Sequence, residues 1–146
     1  MSTIVTEHPN AALVRRGYEA FNTADMATLT EILDENASWH TPGRSPIAGD
    51  YQGRDAAFGQ FGRYGGDTGG TFKAELKQVF TSAEGQVIGL HHNSAERNGK
   101  RLDTDCCLVF EVENGRMMSG REYFFDLDNW DEFWAYPSQS GMHADG

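Results

Sequence analysis

The chain changes its hydrophobic period part-way along, and the two halves read differently. Between Leu13 and Phe21 the apolar residues Leu13, Val14, Tyr18 and Phe21 fall on one helical face, so a first helix is expected to end near Asn22. Pro9 suits its opening turn, where a missing N–H costs nothing. Asp25 is placed to cap a second helix with Met26, Leu29, Ile32 and Leu33 as its buried stripe. Residues 37–41, Ala-Ser-Trp-His-Thr, read as a first strand, and the Gly- and Pro-bearing stretch from Thr41 to Gly53 reads as a loop. A third helix is expected from Arg54 to Tyr64, ended by Gly65-Gly66.

From Phe72 onward the period falls to two. Phe72, Ala74 and Leu76 alternate with Lys73, Glu75 and Lys77. Strands follow over residues 86–97, 101–113 and 116–127, joined by the hairpin signals Asn98-Gly99 and Asn114-Gly115. In the second of these, Leu102, Thr104, Cys106, Leu108, Phe110 and Val112 point one way, and Asp103, Asp105, Glu111 and Glu113 point the other. Asp128 can cap a final turn holding Trp130, Phe133 and Trp134, and residues 137–146 read as a loose tail. Helices followed by an antiparallel meander make an α+β fold, with three N-terminal helices on one face of a strongly bent sheet. With no linker or repeat, the 146 residues are expected to form one domain with a core over about 8–135.

Composition narrows the function. Twenty-two acidic against 12 basic residues give a formal net charge of -10, which argues against nucleic acid and anionic membrane surfaces as partners, since these need basic patches. No apolar run approaches a membrane span, and the N-terminus lacks the pattern of a secretory signal, so a cytoplasmic protein is expected. Adjacent Cys106 and Cys107 are a poor disulfide pair and fit a reducing compartment. His91-His92 lacks the spacing of a zinc site, the glycines between 59 and 70 form no phosphate-binding motif, and no metal is expected.

Tyr18-Glu-Ala-Phe-Asn22, the turn to Asp25, Ala37-Ser-Trp39, Gly49-Asp-Tyr-Gln-Gly53, Asn114-Gly-Arg116 and Arg121-Glu-Tyr123 occur in an order and spacing that resemble the nuclear transport factor 2-like cone fold. More narrowly, the chain resembles the branch holding ketosteroid isomerases and SnoaL-like polyketide cyclases. The resemblance implies one mostly apolar pocket between sheet and helices, no cofactor, and a homodimer through the outer sheet face. It also implies that Tyr18 stands where the isomerases keep an enolate-binding tyrosine. Thr41 and Leu108 stand where those enzymes keep a base and a protonated acid, and a threonine hydroxyl is far too weak a base to take a carbon-bound proton near neutral pH. The container is therefore expected without the steroid isomerase's reagents.

Other residues are expected to supply the chemistry. Val87, Gly89, His91, Asn93 and Ala95 share the face that counting from the hairpin turn makes inner, and a pocket histidine can carry a proton near working pH. Asn93, two residues on, could orient a carbonyl. If Phe124 faces the pocket, as the resemblance implies, Glu122 and Asp126 face it too, although Arg121, Tyr123, Phe125 and Leu127 make an equally good inner face. A His91–Glu122 pair could then transfer the proton. Trp39 and Thr41 are expected inward and His40 at the rim, unless the loop beyond turns it in. Phe58, Phe61, Leu108, Phe110 and Phe124 are read as wall.

Three readings remain. The first is a cofactor-free enzyme closing a ring, isomerising or dehydrating a small apolar molecule. Tyr18, His91 and Glu122 would be its catalytic groups, with the glycine-rich segments 43–53 and 65–70 gating access. The second is a binding protein using the same pocket without chemistry. The third, an epoxide hydrolase, needs an inward arginine from among Arg97, Arg101 and Arg121.

Overall fold

The computed structural model describes residues 7–135, so the expected tail at 137–146 lies outside the described residues. Helix α1 runs Pro9–Asn22 and α2 runs Met26–Ile32. Strand β1 (Leu33–Thr41) is followed by β2 (Gly49–Gln52), α3 (Arg54–Gly66), β3 (Lys73–Thr81), β4 (Val87–Arg97), β5 (Lys100–Glu113), β6 (Arg116–Phe124) and α4 (Leu127–Trp134). No helix among the described residues is long and apolar enough to cross a membrane.

Local chemistry accounts for most boundaries. His8 caps α1 through Nδ1, which accepts from the Asn10 amide at 3.0 Å. Asp25 caps α2, its carboxylate accepting from the Thr28 amide at 3.1 Å and the Thr28 hydroxyl at 2.7 Å. Both hairpins turn on Asn-Gly pairs in the left-handed region, φ 52° and 77° at Asn98-Gly99 and 52° and 76° at Asn114-Gly115.

Several expectations are corrected. Leu33 is not helical but begins β1, which starts four residues before Ala37, and Met26 is 45% exposed rather than buried. Residues 49–52, expected as loop, form β2, which pairs antiparallel with β1. The sheet is mixed, because β1 pairs parallel with β6. The last strand stops at Phe124, and Asp126 rather than Asp128 caps a full helix α4 by accepting from the Asn129 amide at 3.0 Å.

The six strands lie in the order β2-β1-β6-β5-β4-β3. Register shifts interrupt the ladders between Leu33 and Ser38, Leu76 and Gln78, and Glu111 and Val112. Such irregularities bend and twist a sheet, and here they wrap it round its helices. α1 packs on β3 and β4, α3 on β1 and β2, and α4 on β5 and β6. The Asn22 side chain ties α1 to the edge strand β3, donating to the Ala74 carbonyl at 2.9 Å and accepting from its amide at 3.0 Å.

Candidate active site

Alternation in β4, β5 and β6 aims one set of side chains into the concave face. Val87, Gly89, His91, Asn93 and Ala95 are buried, as are Leu102, Thr104, Cys106, Leu108 and Phe110. In β6 the ambiguous period resolves in favour of Glu122, which is buried, while Tyr123 and Phe125 are exposed. α1, α3 and β1 close the space from the other side. The resulting cavity has an empty volume of about 540 Å³, mouth included, and Tyr18, Trp39, Phe61, Tyr64, His91, Asn93, Leu108, Phe110 and Glu122 are among its lining residues.

Two glycines make this shape possible. A Cβ at Gly89 would sit 2.7 Å from the Tyr18 hydroxyl oxygen, and one at Gly120 would sit 2.6 Å from the Trp39 ring. Each lets an aromatic side chain approach a strand more closely than a Cβ would allow, a reason for glycine inside a strand that alternation alone does not reveal.

The polar groups form two clusters. On the β4 wall the Tyr18 hydroxyl meets His91 Nδ1 at 2.6 Å. Burial lowers the His91 pKa from 6.5 to about 4 against the opposing pull of nearby Asn93, so the imidazole is neutral near pH 7. Burial, with smaller contributions from Cys106 and Glu122, raises the Tyr18 pKa well above the ordinary tyrosine value, so the phenol keeps its proton.

On the β6 wall Glu122 is fully enclosed. Burial raises its pKa from 4.5 to about 7, although Thr41 and Tyr64 pull it down by hydrogen bonding. The Thr41 hydroxyl donates to Glu122 Oε1 at 2.6 Å and the Tyr64 hydroxyl donates to the same oxygen at 3.2 Å. Gln60 Nε2 donates to Thr41 Oγ1 at 2.6 Å and to the Ile47 carbonyl at 3.2 Å. This fixes the direction of the chain, Gln60 to Thr41 to Glu122. Both donors reach Oε1, so Oε2 is the oxygen left for the cavity that Glu122 lines.

The expected His91–Glu122 pair is not formed: each has its own partners, on strands separated by β5. Thr41 is buried, but it serves Glu122 instead of lining the cavity. His40 faces outward, its Nδ1 2.5 Å from Asp50 Oδ1 across the β1–β2 pair. Asp126 is spent as the α4 cap, and Phe124 stacks on Trp130 with ring centroids 3.9 Å apart, beneath the cavity wall. Phe58 packs beside Phe61 at 6.2 Å without lining the cavity. His92 lies outside, bridging Asp105 at 2.7 Å and Asp103 at 2.6 Å, and the hydrogen bond to Asp105 leads in raising its pKa. None of Arg97, Arg101 and Arg121 lines the cavity; Arg97 donates to the Phe133 and Ala135 carbonyls.

Gln60 and Tyr64 were not anticipated as site residues. Ala57, Gln60 and Tyr64 form the buried face of α3, and a glutamine on such a face is the sequence signal that marks a polar network beneath it.

A family model described as the SnoaL-like domain matches residues 14–119. The chain belongs to the SnoaL-like family. Its cone is of the nuclear transport factor 2-like type. An uncharacterised protein of Mycobacterium tuberculosis is 30% identical to this SnoaL-like chain over 131 residues, covering 90% of it and 100% of the relative. The structure of Bal32a, from a soil-derived mobile gene cassette, is 68% identical with a TM-score of 0.85, covering 86% of this chain and 96% of that one. IdmH of Streptomyces antibioticus, described as a candidate polyketide cyclase, shares the fold at 17% identity and a TM-score of 0.68, covering 82% of this chain and 94% of IdmH.

Proposed function

We propose that this SnoaL-like protein carries out cofactor-independent acid/base chemistry on a small apolar organic molecule bearing a carbonyl, leading to cyclisation, isomerisation or dehydration. The observation that carries the reading is Glu122: a carboxyl with a pKa of about 7, held by two hydroxyl donors inside an aromatic cavity. A base is most useful when its pKa lies near the working pH. The polyketide-cyclase description of the fold neighbour IdmH agrees with this reading.

Ionised Glu122 takes a proton from the carbon next to the substrate carbonyl, and the C–H electron pair moves to form an enolate. Tyr18 stabilises the developing oxygen charge. With Nδ1 protonated, His91 donates to the Tyr18 oxygen and frees the phenol hydrogen to turn toward the substrate. Neutral His91 thus positions and polarises Tyr18. Glu122 then returns its proton to another carbon in isomerisation. In ring closure the proton goes to the alkoxide formed when the enolate attacks a second carbonyl. In dehydration it leaves with the departing hydroxyl.

Deuterium wash-in at C1 of 2-tetralone in D2O, followed by proton NMR, tests the assignment. Wild-type protein should exchange faster than buffer, and Glu122→Gln should lower that rate about 100-fold or more. Binding of the ketone with exchange no faster than buffer would instead make the protein a carrier. The same reading includes a homodimer through the outer sheet face, where Tyr123 is exposed; sedimentation velocity tests it.

A further inference from the structure

Asn93 stands in the middle of β4 with 1% of its surface exposed, and its side chain lines the cavity. Neither Oδ1 nor Nδ2 has a hydrogen-bond partner among the described residues. The amide lies close enough to His91 to oppose the lowering of the imidazole pKa, yet short of hydrogen-bond geometry. Buried amides are almost always satisfied. An acceptor and a donor, side by side and both unmatched, belong to a residue lining a cavity whose apolar wall includes Phe72, Ala74, Leu108 and Phe110.

We infer that Asn93 is a specificity-determining residue that reads a paired edge on the ligand, one carbonyl acceptor beside one N–H or O–H donor. The ligand carbonyl accepts from Asn93 Nδ2, and the adjacent N–H or O–H donates to Oδ1. The inference rests on the ligand-binding role proposed for the cavity and adds the class of molecule: a flat aromatic compound carrying a lactam, a primary amide or a hydroxy-ketone. The edge is neutral. Among the described residues no lysine or arginine lines the cavity, and Glu122 supplies a negative charge once ionised, so a carboxylate finds no counter-ion among them.

Two isosteric probes test this. 2-Naphthamide offers both donor and acceptor, whereas 2-acetylnaphthalene replaces the amide NH2 with a methyl group and keeps only the acceptor. Burial of apolar surface alone favours the ketone. Isothermal titration calorimetry on the wild-type protein should nevertheless give the amide about tenfold or greater tighter binding, because the ketone leaves Oδ1 unmet. Asn93→Leu, which keeps the volume and removes the amide, should erase or reverse that preference. If the leucine variant does not fold, Asn93→Ala carries the same expectation. Equal or tighter binding of the ketone by wild type overturns the inference, as does an amide preference that survives in the variant. If neither probe binds, the ligand-binding reading of the cavity fails with it. Exchange of 2-tetralone dependent on Glu122, together with indifference to the amide edge, would leave the acid/base reading standing and remove this one alone.

Discussion

Glu122 and His91 should give the protein opposite dependences of stability on pH, and one substitution should separate them. The folded-state pKa of Glu122 is about 7 against an ordinary 4.5. Its contribution to stability is therefore fully present below pH 4.5 and is lost as pH rises through about 7. His91 runs the other way: its folded pKa of about 4 lies below 6.5, so its contribution is present above pH 6.5 and is lost as pH falls toward 4. At 1.36 kcal/mol per pH unit each gap is worth about 3 kcal/mol, and the two nearly cancel in the wild type between pH 4.5 and 6.5. Glu122→Gln keeps an oxygen to accept from Thr41 and Tyr64 but cannot ionise. Its stability should rise with pH, following His91 alone. The wild type minus variant difference should fall by about 3 kcal/mol between pH 4.5 and 7.5. Urea unfolding followed by fluorescence of the buried Trp39, Trp130 and Trp134 measures both profiles. A difference that stays constant across this range would refute the raised carboxyl.

Gly89→Ala should push the Tyr18 phenol off His91, because the new Cβ would sit 2.7 Å from its oxygen; ketone exchange should fall at least tenfold and stability by about 1–3 kcal/mol in urea unfolding. Gly59→Ala should instead stabilise by about 1 kcal/mol in the same assay, since this exposed helical glycine has nothing within 4 Å of an added Cβ. Asp126→Ala should cost about 1 kcal/mol by uncapping α4, while leaving exchange of 2-tetralone at the wild-type rate, because its carboxylate caps a helix outside the cavity.

Residues with local causes could be read from the sequence. The Asn-Gly turns set the register of β4, β5 and β6, and that parity turned His91, Asn93 and Leu108 inward, as the structure places them. Asp25 marked its helix by side-chain chemistry alone. What escaped depends on partners distant in the chain. β2 is a strand only because Gly49–Gln52 finds an edge on β1, and the parallel β1–β6 pairing joins the two ends of the fold. The site divided in the same way. Tyr18 could be placed by face, whereas the alternation left the face of Glu122 open; beyond that, the Thr41–Glu122 bond spans 81 residues and the Tyr64–Glu122 bond spans 58. No period in the sequence announces them. The expected His91–Glu122 pair failed for the same reason, since inward orientation does not determine which wall a side chain joins. Asp126 failed more locally: the strand ended three residues earlier than its alternation suggested, and a carboxylate at that break became a cap.

The pH dependence of 2-tetralone exchange by the wild-type protein bears most directly on the claim that Glu122 is the base. Measured from pH 5 to 9, the first-order rate at saturating protein should rise with pH and level off, with its midpoint near 7 where the buried carboxyl loses its proton. A midpoint at the ordinary carboxylate value, or enzyme-dependent exchange that does not change across the range, would contradict it.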